Sequence, residues 1–167
     1  LHGLISDVLD ISKIEAGEVE VNKTPVDLAN SLNMIIKTME YRARDRGNNL
    51  KLITDPGLPE QVMADRIILN QVLLNLLDNA NKFTSDGSII LTVKADKSRD
   101  ERSFLIHFEV TDTGIGIDKE RLAKVFDRFQ QVKDSRSSSE QQGTGLGLSI
   151  SRSLAELHGG GVIAKSE

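Results

Sequence analysis

Asn75-Leu76-Leu77-Asp78-Asn79-Ala80-Asn81-Lys82-Phe83 reads as a helix that carries more asparagine than a helix favours. Asparagine is a mediocre helix former, because its amide competes for backbone hydrogen bonds. Three of them within seven positions weaken the helix, and contact with water alone gives no reason to keep them. Asn75, Asn79 and Lys82 fall at i, i+4 and i+7 and so share one face. Val72, Leu73, Leu76, Leu77, Ala80 and Phe83 fall mainly on the buried side. Two amides and an ammonium in line suit a phosphate ligand with its metal. Amide oxygens can ligate magnesium, a hard cation, and a lysine neutralises phosphate charge. The competing reading is a plain amphipathic helix with its polar face in water.

Two glycine-rich stretches follow. The first is Asp112-Thr113-Gly114-Ile115-Gly116-Ile117. Asp112 continues the core-facing parity of Phe104, Ile106, Phe108 and Val110, and a carboxylate on a buried face is costly unless paired. An exocyclic amine such as that of adenine is a fitting partner. Gly114 and Gly116 let the backbone turn sharply and approach a ligand. The second stretch, Gly143-Thr144-Gly145-Leu146-Gly147-Leu148, opens a helix that runs from about Thr144 to His158. Amides at a helix N-terminus, flanked by small residues, favour phosphate. The stretch lacks the lysine-plus-serine/threonine ending of a P-loop, and no strand precedes it as a dinucleotide fingerprint requires. Each stretch is a weak signal alone. Together with the asparagine helix, in this order, they describe a nucleotide site.

Residues 118–142 are long for a connection, which points to a lid. They contain Phe126-Asp127-Arg128-Phe129. Leu122, Val125, Phe126 and Phe129 read as helix packing, which leaves Arg128 to meet phosphate or a partner as the lid moves. The polar run Asp134–Gln142 is expected to be mobile.

Outward from this centre, Ile89–Asp96 and Phe104–Thr111 alternate like two strands, each with one core face, joined as an antiparallel hairpin. Leu50–Thr54 and Val62–Ala64 read as short strands, and Val19–Asn22 as an outer one. Asp27 caps a helix to about Arg46, with Leu28, Leu32, Ile35, Ile36 and Met39 inward. Pro25 belongs to a connection. Asp65 caps the asparagine helix. Gly159-Gly160-Gly161 stops the last helix, and Val162–Ala164 begins a strand. At the start of the chain, Leu1, Leu4, Val8 and Ile11 form a heptad-like seam that Ile5, Leu9 and Ile14 widen. A helix over residues 1–16 cannot bury that face alone, so it reads as part of a broken-off helical hairpin, the competing reading being a helix that packs onto its own domain. The class is α+β, a layered domain with helices on one face of a mixed sheet.

Bulk composition excludes several classes. The chain has 167 residues, 38% hydrophobic and 28% charged, with a net charge of −4. That balance gives no basic surface for nucleic acid. No cysteine is present, which removes disulfides and thiolate metal sites. No apolar run approaches the roughly 18 residues that span a bilayer. With no initiator methionine and the seam at residue 1, the chain is expected to be a piece of something longer, which leaves room for a membrane anchor outside it.

With these motifs in hand, the chain resembles the catalytic region of a hybrid-type sensor histidine kinase, in the superfamily of ATP-binding domains shared with DNA gyrase and related chaperone ATPases. Asn75–Phe83 resembles that family's N box, Asp112–Ile117 its first glycine box, Phe126–Phe129 its F box and Gly143–Leu148 its second glycine box. Asp7–Gly17 resembles the junction where the dimerisation hairpin's second helix enters the ATP domain. The resemblance implies a Bergerat-type two-layer α/β sandwich over residues 18–167, preceded by a coiled-coil-like tail over residues 1–17. It implies ATP or ADP and magnesium as ligands. Asn79 would ligate magnesium, with Asn75 beside it at the phosphates. Lys82 would contact phosphate, and Phe83 would line the nucleotide site. Asp112 would hold the adenine amine, and Gly114 and Gly116 would shape the adenine side. Arg128 and the backbone of Gly143, Thr144, Gly145, Leu146 and Gly147 would meet the phosphates. The reaction implied is γ-phosphoryl transfer to a histidine of a dimerisation domain, then to the aspartate of a response-regulator receiver domain, in a homodimeric, cytoplasmic setting.

Asn75 narrows this further. Hydrolysing relatives resemble this helix but place a glutamate there to activate water, whereas an amide is no base. Phosphoryl transfer rests mainly on positioning and charge stabilisation, so Asn75 fits transfer better than hydrolysis. A hydrolase or serine kinase of the same superfamily, or a non-catalytic nucleotide-binding module, are the rival readings. The phosphoacceptor motif is absent: His2, His107 and His158 lack its surroundings, so this stretch alone is expected to bind nucleotide without labelling itself. The family's final strand is expected after Glu167.

Overall fold

The computed structural model describes residues 2–97, 103–130 and 144–166. Leu1, Gly143 and the Asp134–Gln142 run lie outside the described residues, as does the side chain of Leu4. In chain order the elements are α1 (His2–Glu15), β1 (Thr24–Asp27), α2 (Leu28–Asp45), β2 (Asn49–Thr54), β3 (Gln61–Ala64), α3 (Arg66–Phe83), β4 (Ser88–Lys97), β5 (Phe104–Asp112), α4 (Lys119–Leu122) and α5 (Gly147–His158). They divide into two compact units. One comprises Leu1–Lys23, Asp65–Asn75 and Gly116–Glu167, the other Thr24–Ala64 and Leu76–Ile115. The boundary falls inside α3.

The strand-rich unit holds a mixed sheet in the order β2-β4-β5, with β2 parallel and β5 antiparallel to β4. The alternation read from residues 89–96 is explained by β4's central place: Ile89, Leu91 and Val93 are fully buried. Asp27 caps α2 by accepting the Asn30 amide at 2.8 Å, and Leu28, Leu32, Ile35, Met39 and Ala43 form its buried stripe. Helix α2 packs on β2. Each fully buried leucine or isoleucine there contributes about 1.5–3 kcal/mol. Strand β1 replaces the connection expected around Pro25. It pairs antiparallel with β3 as a separate two-stranded sheet.

In the other unit, Ile68, Leu146, Ile150 and Leu154 form a buried cluster, covered by Ile11, Ile14, Val19, Val21 and Val72. The strand expected at Val19–Asn22 is absent. Val19 and Val21 pack singly onto this cluster, and the Asn22 amide donates to the Asp65 carboxylate instead of a neighbouring strand. No strand forms at Val162–Ala164 either, where Ile163 is exposed. Helix α1 behaves in two ways. Ile11 and Ile14 are covered by their own unit, whereas Ile5, Val8 and Leu9 face solvent. Among the described residues, no helix is long and apolar enough to cross a membrane.

Candidate functional site

In the strand-rich unit, the end of α3 is tied down by a buried amide pair. Asn48 Nδ2 donates to Asn81 Oδ1 and to the Thr84 carbonyl, each at 2.9 Å, and Asn48 Oδ1 accepts the Gly87 amide at 3.1 Å. Asn81 Nδ2 donates to the Arg42 carbonyl at 3.2 Å. Arg46 Nη2 reaches the Lys82 carbonyl at 3.0 Å. These bonds satisfy carbonyls that every helix C-terminus leaves open. Asn81 therefore has a structural reason to be an asparagine. Asn79, half-buried, makes no side-chain hydrogen bond among the described residues, so its amide is available to a ligand.

The first glycine box wraps this end. The Ile115 amide donates to the Phe83 carbonyl at 3.3 Å. A Cβ on Gly114 would strike that same carbonyl and come within 2.7 Å of Asp112 Oδ1, so only glycine fits. Asp112 is exposed, which corrects the expectation of a buried carboxylate. It stands at the end of β5, an edge strand among the described residues, where core parity no longer brings cover. Its orientation is nevertheless fixed. Oδ1 accepts the Gly114 amide at 2.8 Å and the hydroxyl of the buried Thr84 at 3.4 Å, and Oδ2 has no partner among the described residues. That leaves a held acceptor suited to an amine. Lys82 Nζ sits 4.9 Å from the Phe83 ring centroid, a cation–π distance. Burial lowers its pKa, and no carboxylate pairs with it among the described residues. A partly desolvated, unpaired ammonium is ready for an anion.

In the other unit, Asn75 Nδ2 donates to the Gly147 carbonyl and to Ser151 Oγ, each at 2.5 Å. The amide expected at the phosphates thus braces the start of α5. A Cβ on Gly147 would lie 2.5 Å from Asn75 Oδ1. Helix α5 begins at Gly147 rather than Thr144, and Leu146 gives it no side-chain cap. Among the described residues, the amides of Gly147, Leu148 and Ser149 have no acceptor, while those of Leu146 and Ile150 are taken by Thr144 Oγ1 and the Leu146 carbonyl. Free amides at a helix start hold anions. Gly145 and Gly116 both have positive φ, 72° and 69°. At Gly145 a side chain would also meet the backbone of Phe129 and Gln130, and the Phe129 amide donates to the Gly145 carbonyl at 2.9 Å. The F box and the second glycine box are stitched together. Phe129 itself has φ 60°, a rare conformation for a bulky residue, and it is 65% exposed. Arg128 is not free: Glu15 of α1 holds it at 2.5 Å.

Three features escaped sequence reading. Asn48 and Thr84 gave no periodic signal, because their role lies in backbone carbonyls far along the chain. The third is a pair of α1 carboxylates, Asp7 and Glu15, which in sequence look like solvated helix charges. Asp7 accepts the Thr144 hydroxyl at 2.6 Å.

The protein-family model described as Histidine kinase-, DNA gyrase B-, and HSP90-like ATPase matches residues 64–167. Over its whole length the chain is 44% identical to Hybrid signal transduction histidine kinase B of Dictyostelium discoideum, of which it covers 8%. It is 36% identical, again over its whole length, to the Aerobic respiration control sensor protein ArcB of Escherichia coli (strain K12), of which it covers 21%. The chain therefore spans a minor part of these curated relatives. Among solved structures, full-length ShkA in complex with AMPPNP matches 98% of this chain with 33% of its own, at 32% identity and a TM-score of 0.77. The catalytic domain of histidine kinase ThkA matches 82% of this chain with 82% of its own, at 28% identity and a TM-score of 0.62.

Proposed function

Since the chain belongs to the Histidine kinase-, DNA gyrase B-, and HSP90-like ATPase family, we propose that it is the ATP-binding catalytic part of a hybrid sensor histidine kinase. The observation that carries the reading is Asp112, whose Oδ1 is held internally beside the tight Gly114 turn while Oδ2, among the described residues, remains an open acceptor. A carboxylate so held selects an amine donor, as adenine offers. Lys82, partly desolvated and unpaired among the described residues, meets phosphate, and Asn79, whose amide is free among the described residues, meets magnesium. The metal supplies charge neutralisation at the phosphates. Phe83, Gly114 and Gly116 shape the base side. The phosphates are met by the backbone of Thr144, Gly145 and Gly147, by Leu146 once its amide leaves Thr144, by Gly143, which lies outside the described residues, and by Arg128 once it leaves Glu15. Asn75 positions Gly147 and, as an amide, withholds the base that hydrolysis needs.

The acceptor histidine of a dimerisation domain, a receiver aspartate, homodimerisation and a cytoplasmic location belong to the same proposal. So does the division into a hairpin tail, residues 1–17, and an ATP-binding domain, residues 18–167. Calorimetric titration with ATP tests the core of it. Asn79→Ala should weaken binding in magnesium and leave binding in chelator unchanged. Equal affinity for both proteins in magnesium would remove Asn79 from the site.

A further inference from the structure

The second glycine box makes contacts that holding a nucleotide does not require. Thr144 Oγ1 donates to Asp7 Oδ2 of α1 at 2.6 Å and accepts the Leu146 amide at 3.3 Å. Two turns along α1, Glu15 Oε1 takes Arg128 Nη1 at 2.5 Å. Asp7, Ile11 and Glu15 are spaced by four and share one helix face. Ile11 packs on the cluster that contains Leu146. One stripe of α1 thus sets its two carboxylates against Thr144 and Arg128, with Ile11 between them on the unit's buried cluster.

We propose that α1 is an inhibitory strut, whose Asp7 and Glu15 carboxylates compete with nucleotide phosphates for Thr144 and Arg128. The inference rests on the nucleotide reading above. A hydroxyl donor and a guanidinium are what a polyphosphate recruits, and a carboxylate accepts from the same donors with similar charge-assisted geometry. The Thr144 hydroxyl has one proton and cannot serve two anions at once, and Glu15 takes an Arg128 Nη1 donor that a phosphate would otherwise use. Asp7 is also able to leave. It is half-buried and lines a cleft of about 110 Å³ with Gln71, Asn75, Gly147, Ile150 and Ser151, so its carboxylate can withdraw without opening the core. By linkage, whatever pulls α1 away raises affinity for the phosphate end, and phosphate binding loosens α1 in return.

Titration of the chain with magnesium–ATP, and separately with adenosine, separates the outcomes. Asp7→Asn and Glu15→Gln should each tighten ATP about 3- to 10-fold, on the order of one hydrogen bond's net worth, and leave adenosine unchanged. Amide exchange in α1 should quicken when wild-type chain is saturated with ATP. Unchanged or weaker ATP binding by both variants overturns the strut, as does equal tightening of adenosine. Should a variant not fold, α1 exchange that stays constant or slows with ATP overturns it in the wild-type chain. A wild-type chain that binds neither ligand refutes the nucleotide reading and the strut with it.

Discussion

His158 Nε2 accepts the backbone hydrogen of Asp65 at 2.9 Å. The last turn of α5 is thereby tied to the N-cap of α3, whose Asp65 Oδ1 accepts the amides of Ile67 and Ile68. An acceptor Nε2 means a neutral ring with its proton on Nδ1. Burial lowers the His158 pKa, Lys23 adds to that, and the Asp65 carboxylate partly opposes it. Burial alone would raise the Asp65 pKa, but the amides of Asn22, Ile68 and Ile67 overcome it and bring the net value down.

The sign of the pH dependence follows. His158 is depressed in the folded state, so its stabilisation is complete above the ordinary value of 6.5. As pH falls below that value the unfolded chain takes up a proton first, and stability declines until the folded pKa is reached. Asp65 adds a second loss of the same sign below 3.8. In His158→Gln the amide oxygen can still accept the Asp65 hydrogen but does not titrate. Urea unfolding between pH 7 and 5 should therefore show a flatter slope in the variant. An unchanged slope would assign the acid loss to another group.

The Asn48–Asn81 pair should matter for stability alone. Asn48→Ala strips partners from the buried Asn81 oxygen, the Thr84 carbonyl and the Gly87 amide. Orphaned buried polar groups cost about 1–3 kcal/mol each, and water entering the space left offsets part of that. We expect a loss on the order of 2–4 kcal/mol in chemical denaturation. A change under 1 kcal/mol would mean that the end of α3 is held otherwise.

Much of this architecture could be read along the chain, and what could not has a common cause. The caps Asp27 and Asp65, the buried stripe of α2 and the β4–β5 hairpin are local or periodic, so residues a few positions apart reveal them. The asparagine helix was legible as unusual, but its cost had two different explanations. Asn81 serves the fold through Arg42 and Asn48, residues more than thirty positions away, while the Asn79 amide has no partner among the described residues. Parity correctly put Asp112 in line with Val110, yet exposure at a strand end depends on which neighbours continue beyond it. Arg128 read as available to phosphate or a partner, and the Thr144 hydroxyl gave no signal beyond its backbone, because α1, which holds both, lies more than a hundred positions earlier.

Gly147 and Asn75 should show a reversal of sign. An alanine Cβ at Gly147 would push the Asn75 amide, which is held by Gly147 and Ser151. Gly147→Ala should therefore destabilise by about 1–2 kcal/mol, from strained or broken hydrogen bonds. In an Asn75→Ala background the obstruction is gone, and alanine's helix preference, worth up to about 1 kcal/mol over glycine, should make the same change neutral or stabilising. A double-mutant cycle on unfolding free energies measures the coupling. Equal cost in both backgrounds would separate the glycine requirement from Asn75.

Asp112 offers the cleanest division between fold and ligand. In Asp112→Asn the amide oxygen can keep the Gly114 bond, while the open Oδ2 acceptor becomes a donor. Because the side chain is exposed, unfolding stability should shift by no more than about 0.5 kcal/mol. A ligand amine that faced Oδ2 would instead meet a second donor. Hydrogen bonds to charged groups are worth about 1.5–3 kcal/mol, so ATP affinity should fall about 10- to 100-fold. A nucleotide lacking the exocyclic amine, such as inosine triphosphate, should lose little, since it makes no such bond to wild-type protein. Calorimetry with both nucleotides gives a specificity ratio in which any general loss of fold cancels. If Asp112→Asn weakens the two equally, the carboxylate is not reading an amine, and the base would have to be recognised elsewhere.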